Sequence, residues 1–327
     1  MKILECIPNV SEGRNPKMIR HFTEVISSVN DVQLLHQDSG YAAHRTVYTF
    51  AGKPEAVLEA AFRLYMAAWE HLDMSTHQGT HPRQGAIDVC PLVPLQGMNL
   101  EEASKYARQL AERLTKNIGV PGYYYEANAS SEERRNLAFL RKGEYESLPA
   151  KFTELLPDFG KADLWRKNGV TVIGARKLLV AYNVNLDTKD VSIARSIATA
   201  VRESGRLIQN KDGSSQRKAG SLKSVKAIGW YIRDFDKVQV SYNLTKLSEN
   251  GILETFLQTV LEAGQRNCRV TGSELIGLAP LSEFIKVQAY LRAHNRPDSL
   301  SEAIDFLGLG ELHPFDPEKK IIELILK

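Results

Sequence analysis

The sequence predicts an α/β fold made of two related ferredoxin-like subdomains, each a sheet with its helices on one face. Residues 177–280 read as strand, helix, strand, strand, helix and strand, which is the order of a split βαβ unit. Residues 3–94 begin in the same order, and a further helix and strand follow them. We therefore expect an N-terminal subdomain over residues 1–180 and a C-terminal subdomain over residues 181–327. Each sheet leaves one face free of helices, and the two free faces could enclose a ligand.

Hydrophobic periodicity and capping residues define the elements of the first half. Asn15 and Pro16 have the residue types of an N-cap and a first helical position, and apolar residues three to four apart follow them. Asn99 and Glu102 have the spacing of a capping box. The predicted strands are 3–9, 32–38, 45–52, 85–94 and 122–127, and the predicted helices begin at Pro16, at Pro54 and after Asn99. Residues 128–168 are charged and poor in strand signals, and we expect them to join the two halves.

The second half repeats this alternation. Its predicted strands are 177–186, 222–232, 237–244 and 269–280, its helices begin near Val191 and Ile252, and further helices at 281–294 and 299–309 pack on them. Residues 204–223 are rich in glycine, serine and basic side chains, Lys211 among them, and lack apolar periodicity. They are predicted to form a flexible basic loop, either a solvated hairpin connection or a region whose positive field attracts an anionic ligand.

The composition indicates a globular protein without a membrane-spanning segment. Of the 327 residues, 43% are hydrophobic and 25% charged, and the formal net charge is only +3. This weak charge does not call for nucleic acid, although it suits a small anionic ligand. The N-terminus lacks the features of a signal peptide, and no apolar run approaches the roughly 18 residues that cross a bilayer. The three cysteines fit a reducing compartment, so we expect a cytoplasmic protein.

Two histidines and an arginine stand directly before a strand-like run in HQGTHPRQGAIDVCPLVP, residues 77–94. His77 and His81 are four apart, a spacing that would place both on one metal ion if they lay on a helix. Gly79 and Pro82 oppose a helix, and no acidic or cysteine ligand stands at metal spacing nearby, so we expect no metal. His81 is either a loop histidine hydrogen-bonded to a neighbouring carbonyl or, on a path stiffened by Pro82, a residue suited to proton transfer.

Several charged residues near strand ends could converge with His81. Asp38 ends a predicted strand and is either a turn aspartate or a carboxylate that orients an imidazole. Asp88 interrupts an apolar run, where strand alternation allows it to face either side of the sheet. Arg176 and Lys177 begin a strand and are suited to bind carboxylates, although solvated surface charge is the alternative for each of them.

Seven sequence blocks follow one another along nearly the whole chain. They are CIPNVSEGRN (6–15), DSGYAAHRTVYTFAG (38–52), HQGTHPRQGAIDVCPLVP (77–94), KGEYESLP (142–149), PDFG (157–160), TVIGARKLLVAYNVNL (171–186) and KAIGWYI (226–232). Together they resemble the glutamate formiminotransferase family, the folate enzymes of histidine breakdown. In animals the family's domain is fused to a cyclodeaminase, so the resemblance implies that a separate cyclodeaminase acts on the product here. It also implies a homodimer.

The resemblance implies an enzyme of one-carbon metabolism that transfers the formimino group of N-formimino-L-glutamate to N5 of tetrahydrofolate, giving 5-formiminotetrahydrofolate and L-glutamate. Tetrahydrofolate is then a co-substrate, expected to lie between the subdomains, and no metal is expected. One alternative is formyl transfer from N-formyl-L-glutamate, since one or two side chains distinguish an imino nitrogen from a carbonyl oxygen. Another is a non-catalytic folate-binding module, because this fold serves many functions.

The resemblance also implies which residues form the site. The family's catalytic histidine lies in its HPR-GA-DVCP motif and corresponds to His81, which would act as general base and then general acid. Asp38 would stabilise the imidazolium and fix its tautomer. The implied folate-binding stretch comprises Gly160, Lys161, Ala162, Asp163, Leu164, Trp165, Arg166, Lys167, Asn168 and Gly169. The substrate carboxylates would be bound by Arg45, Arg83, Arg176 or Lys177.

Overall fold

The computed structural model describes residues 2–209, 214–232 and 235–325. The chain divides into two compact units, Met1–Lys177 and Leu178–Lys327. Lys211 of the predicted basic loop lies outside the described residues. Across the described ranges, every helix is too short or too polar to cross a bilayer.

The N-terminal unit is built on one seven-stranded sheet. Its strands are β1 (Ile3–Cys6), β2 (Asn9–Val10), β3 (Val32–Gly40), β4 (Arg45–Gly52), β5 (Ile87–Gln96), β6 (Gly122–Tyr124) and β7 (Thr171–Ala175). β3 pairs with β4, β4 pairs with β1 and β2, and both of these pair with β5, all antiparallel. β7 pairs with β5, and β6 with β7, in parallel. Taken as one interrupted strand, β1 and β2 complete a ferredoxin-like sheet that two parallel strands extend.

Three amphipathic helices cover one face of this sheet. They are α1 (Pro16–Ser27), α2 (Pro54–His71) and α3 (Leu100–Asn117). The side chain of Asn15 caps α1, and the capping box predicted from Asn99 and Glu102 is confirmed at the start of α3. The buried faces of the helices and the inward side chains of the strands form one apolar core, with Phe22, Tyr48, Phe50, Leu64 and Leu110 among its members.

Residues 125–170, all of which the structure describes, cover part of the opposite face without forming a strand. The segment contains short 3₁₀ helices and the helices α4 (Leu137–Arg141), α5 (Leu148–Glu154) and α6 (Trp165–Asn168). Its apolar residues pack on Val89 and Val172. The adjacent Cys90 and Ile173 face the helical core, because side chains alternate between the faces of a strand. Helices therefore cover both faces of the sheet over β5–β7, whereas the sequence predicted them on one face.

The C-terminal unit has the order β-α-β-β-α-β with an added hairpin. Its elements are β8 (Val180–Leu186), α7 (Val191–Val201), β9 (Arg206–Gln209), β10 (Ser215–Lys218), β11 (Val225–Ile232), β12 (Lys237–Leu244), α8 (Ile252–Gly264) and β13 (Val270–Ile276). The sheet is antiparallel with the order β11–β12–β8–β13, which is the ferredoxin-like arrangement. The helices α9 (Leu281–Ala293), α10 (Leu300–Leu307), α11 (Pro317–Lys320) and α12 (Ile322–Ile325) follow, and Phe284, Leu307 and Ile321 join the same core.

The predicted α/β fold with two ferredoxin-like sheets is confirmed, but three regions differ from the prediction. Pro8 has no N–H group, and the strand predicted at 3–9 is split there into β1 and β2. Glu126 has φ 51°, so the strand predicted at 122–127 ends at Tyr124. The stretch 204–223 contains the β9–β10 hairpin instead of a loop alone. All side chains of these two strands are exposed, so no apolar alternation marks them in the sequence.

Leu64 tests the packing of the N-terminal core. It is fully buried on α2, and Leu64→Ala leaves a cavity, so we expect the free energy of unfolding to fall by about 2–5 kcal/mol. Urea unfolding of the whole chain, followed by circular dichroism, measures this loss. Met66 lies on the same helix with 37% of its surface exposed, and Met66→Ala is a control expected to cost about 1 kcal/mol or less. Equal losses for the two variants would contradict the described core.

Candidate active site

The loop of residues 72–86 leads from the end of α2 to the start of β5 and carries His81. Backbone pairing holds it against the chain before β7, since the N–H of Val170 donates to the carbonyl of Gln84 at 2.9 Å. A Cβ atom on Gly85 would lie 2.0 Å from the carbonyl oxygen of Val170, so only glycine allows the two backbones this close. The loop therefore follows a fixed path, although it contains no helix or strand.

Arg83 lies in this loop and donates all five of its N–H groups within the protein. Nη1 donates to Glu144 at 2.9 Å and to Glu146 at 2.8 Å, and Nη2 donates to Glu146 at 2.6 Å. Nη2 also donates to the carbonyl of His77 at 2.9 Å, and Nε lies 3.4 Å from Nδ1 of that residue. Hydrogen bonding to Glu146 raises the pKa of the buried guanidinium. Arg83 ties the loop to residues 144–146 and has no donor left for a substrate carboxylate.

A stacked pair of histidines supports the loop. The rings of His44 and His77 have centroids 4.2 Å apart and planes 11° from parallel. Nε2 of His77 donates to the carbonyl of His44 at 2.9 Å while Nδ1 faces Arg83, so His77 is neutral and protonated on Nε2. Burial lowers the pKa of His77 and favours this neutral form. In the ring of His44, Nδ1 lies 3.0 Å from the carbonyl oxygen of Gln78 and Nε2 lies 3.3 Å from Oε1 of Glu12.

His81 is half-buried, and a backbone group sets its tautomer. Nδ1 lies 2.7 Å from the carbonyl oxygen of Pro82, which only accepts, so Nδ1 carries the proton and Nε2 carries a lone pair. Nη1 of Arg45 lies 2.6 Å from Nε2 and 3.2 Å from Nδ1. An atom this close to both nitrogens would overlap Cε1 if it lay in the ring plane, so the guanidinium lies over the ring face. Within the described part of the chain, Arg45 is the side chain recorded in contact with Nε2.

The electrostatic environment keeps His81 in its neutral form. Burial lowers the pKa of His81 to about 4, and the positive charges of Arg45 and Arg141 add to this effect. Arg141 contacts the buried carboxylate of Asp88, whose other oxygen accepts from the N–H of Gln84 at 2.9 Å. Arg45 has no carboxylate within ion-pair distance among the residues that the structure describes, and burial lowers its pKa. The site thus combines a neutral base with an unpaired cation.

Asp38 lies near Arg45 and not on His81. It is exposed on β3 and pairs with Val47 of β4, two residues from Arg45. Its charge opposes the effect of burial on the pKa of Arg45. The carbonyl of Pro82 lies at Nδ1 of His81, whereas the sequence analysis expected Asp38 to fix the tautomer. A backbone group therefore fixes the tautomer in this structure.

Arg176 and Lys177 lie toward the far end of β5. The N–H of Arg176 donates to the carbonyl of Leu92 at 3.0 Å. Leu92 is about 17 Å along the strand from Ile87, where the His81 loop joins β5. The structure therefore brings Arg45 to the candidate base and separates Arg176 and Lys177 from it.

The implied folate-binding stretch, residues 160–169, leads directly into the backbone pairing beside the His81 loop. Gly160 and Gly169 have positive φ values of 78° and 70°. The side chains of Lys167 and Asn168 donate to carbonyl oxygens in the last turn of α2 and just after it, so they complete the end of that helix. The exposed side chains that the structure does not tie to α2 are those of Lys161, Asp163, Leu164 and Arg166.

Chemically, the site offers a proton acceptor and an anion-binding group. A neutral imidazole accepts a proton from an attacking amine, and a guanidinium binds a carboxylate. Among residues 2–209, 214–232 and 235–325, no three His, Cys, Asp or Glu side chains are grouped to hold a metal ion.

Sequence analysis missed three residues that shape the site, namely Arg141, Glu144 and Glu146. They lie in the segment without strands, where no periodicity indicates which side chains point inward. The available signal was the block KGEYESLP, which contains both glutamates. Asp88, whose direction strand alternation left open, is fully buried and faces Arg141.

Comparisons with known proteins identify the family. The family model "Formiminotransferase domain, N-terminal subdomain" matches residues 3–176, and "Formiminotransferase domain" matches residues 181–327. The chain is 39% identical to formimidoyltransferase-cyclodeaminase of Sus scrofa over 99% of its own length and 60% of that relative. It is 40% identical to glutamate formimidoyltransferase of Streptococcus pyogenes serotype M1 over 88% of the chain and 93% of the relative. It is 36% identical to glutamate formimidoyltransferase of Thermoplasma acidophilum over 89% of the chain and 92% of that relative. The resemblance inferred from the sequence is confirmed, and the chain belongs to the formiminotransferase family.

Proposed function

We propose that the protein is a glutamate formimidoyltransferase that moves the formimino group of N-formimino-L-glutamate to N5 of tetrahydrofolate. Family membership supports this proposal, as do the names of the relatives from Streptococcus pyogenes and Thermoplasma acidophilum. The observation that carries it is His81, a neutral imidazole of fixed tautomer beside the guanidinium of Arg45, which has no carboxylate partner among the described residues. This pair supplies a base for the attacking amine and an anchor for an anionic donor.

The transfer requires one proton to move between two nitrogens. The lone pair of N5 attacks the formimino carbon, and the new N5–C bond leaves a surplus proton on N5. Nε2 of His81 accepts this proton. The bond between that carbon and the glutamate nitrogen then breaks as His81 returns the proton to the departing nitrogen, which leaves as an amine. Positioned proton transfer of this kind contributes about 10²–10⁴ in rate.

The formimino and formyl donors differ at one atom, because the formimino nitrogen carries hydrogen whereas the formyl oxygen carries only lone pairs. His81 acts on the glutamate nitrogen, which both donors share, so His81 by itself does not select between them. Formyl transfer from N-formyl-L-glutamate is the alternative that an assay must separate.

Arg45 is the residue we assign to a donor carboxylate. Arg83 has all of its donors engaged inside the protein, and Arg176 and Lys177 lie at a distance that suits another part of the substrates, such as the glutamate tail of folate. We assign the folate contacts to residues 160–169. Their backbone continues into the pairing beside the His81 loop, which supports this assignment.

We further propose a homodimer in the cytoplasm whose product passes to a cyclodeaminase activity, which the name of the Sus scrofa relative includes. The edge strand β11 supports the dimer, because Ile228 and Trp230 are 55% and 39% exposed on one side of it. Light scattering at micromolar concentration is expected to give two chains per particle. A monomer under these conditions would contradict the dimer and leave the transferase proposal intact.

The function is tested by an assay that measures tetrahydrofolate-dependent release of glutamate. With N-formimino-L-glutamate the wild-type chain is expected to turn over, and His81→Ala to lower kcat by about 10²–10⁴ because the proton acceptor is lost. His71→Ala is the control, since His71 is an exposed histidine of the same unit. Circular dichroism checks that each variant is folded.

Each outcome of this assay selects one function. Turnover of N-formyl-L-glutamate alone would identify the formyl transfer, and folate binding without turnover of either donor would identify a non-catalytic module. Near-native kcat in a folded His81→Ala variant would remove His81 from the mechanism.

The folate assignment is tested at Arg166, an exposed cation within residues 160–169. Arg166→Ala is expected to raise the Kd for tetrahydrofolate by about 10–100-fold, which is the loss of one charge-assisted hydrogen bond. Anaerobic titration calorimetry measures this Kd. Lys142→Ala is the matched control, because Lys142 is an exposed cation outside the stretch. An unchanged Kd for Arg166→Ala and for Lys161→Ala would place the folate contacts elsewhere.

A further inference from the structure

Arg45 contacts His81 but has no anionic partner within the part of the chain that the structure describes. It is half-buried at the start of β4, and burial, with the charge of Arg141 next, lowers its pKa. Arg141 itself is paired with Asp88. A partly buried guanidinium without a carboxylate is a binding group for an anion, because its charge is not compensated in the free protein.

The proposed donor has two carboxylates at different distances from the nitrogen that leaves. The α-carboxylate is attached to the carbon that bears this nitrogen, whereas the γ-carboxylate lies at the end of the side chain. His81 must return a proton to the same nitrogen, and Arg45 lies against the His81 ring. A group in contact with His81 therefore lies nearer to the α-carboxylate than to the γ-carboxylate of an extended donor.

We propose that Arg45 binds the α-carboxylate of the donor and that this binding makes His81 a stronger base. The inference rests on the proposed function. In the free protein, the guanidinium over the ring face disfavours the imidazolium. A carboxylate on Arg45 neutralises that charge and draws the guanidinium from the ring, so Nε2 gains proton affinity when the donor is in place. Donor binding and proton transfer are thereby coupled through one side chain.

The other charges that face the imidazole do not supply this coupling. Arg141 of α4 is held by the buried Asp88 of β5, so its charge is already compensated. Glu144 raises the pKa of His81, but its carboxylate already accepts hydrogen bonds from Arg83. Asp38 of β3 is exposed and acts on Arg45. Arg45 is thus the charge that a ligand can change.

An NMR titration of the His81 imidazole tests the coupling in the whole chain without folate. The pKa is about 4 in the free protein. N-formyl-L-glutamate, whose amide nitrogen is uncharged, is expected to raise it above about 5, at least a tenfold gain in proton affinity. N-formyl-L-2-aminobutyrate keeps the α-carboxylate and is also expected to raise the pKa of His81. N-formyl-4-aminobutyrate lacks the α-carboxylate and is expected to leave the pKa unchanged.

Substitution of Arg45 tests the same coupling from the protein side. Arg45→Gln is expected to raise the pKa of His81 in the free protein and to abolish its response to N-formyl-L-glutamate. Arg14→Gln removes an exposed positive charge from the same unit and is expected to leave both properties as in the wild type. The wild-type titration does not depend on whether Arg45→Gln folds.

The proposal is overturned if a saturating concentration of N-formyl-L-glutamate leaves the pKa of wild-type His81 unmoved, or if a folded Arg45→Gln variant titrates like the wild type. Failure of the proposed function has a different signature, since neither donor would then be turned over while the titration still reports on Arg45. Failure of this inference alone would show normal turnover of the donor with a His81 pKa that does not respond to the ligand.

Discussion

The guanidinium of Arg83 is the group on which the geometry of the candidate site depends. It joins the loop before β5, the turn at residues 144–146 and the ring of His77, none of which lies in a sheet. All five of its N–H groups are used at a nearly buried position, so displacing one partner would leave a charged donor unpaired. His81 lies two residues before Arg83, so the hydrogen bonds of Arg83 restrain the loop that carries it.

The arginines of the site also determine which protonation states its histidines adopt. His77 and His81 each lie beside a guanidinium, and each donates one ring N–H to a backbone carbonyl. The neutral imidazole is then the form that avoids two cations in contact, and burial favours it further. Among the residues that the structure describes, no carboxylate lies within ion-pair distance of Arg45, so its charge is left without a direct partner. The same electrostatics that keep the base neutral thus leave the site receptive to an anion.

The regular elements were predictable because their sequences are amphipathic and capped. The strands predicted at 45–52 and 237–244 have these bounds in the structure, and α3 begins after its predicted capping box. The motif made His81 the candidate base, but the partner of its Nδ1 is a backbone carbonyl, which no side-chain pattern reveals. Arg45 and Arg176 both stand at strand ends, and the sequence did not rank them. The sheet topology distinguishes them, because it places Arg45 beside His81 and Arg176 far along β5.

The position of a polar loop directly before a core strand has a geometric reason. β5 is the strand at which the antiparallel half of the sheet meets the parallel half, so a loop that enters it passes close to backbone on both sides. A Cβ atom on Gly79 would lie 2.2 Å from the carbonyl oxygen of Ala43, and one on Gly85 would lie 2.0 Å from that of Val170. Glycine at these positions costs about 0.5–1 kcal/mol each in chain entropy and allows the loop to touch both neighbours. At this junction a base from the loop and a cation from the start of β4 meet while both stay outside the apolar core.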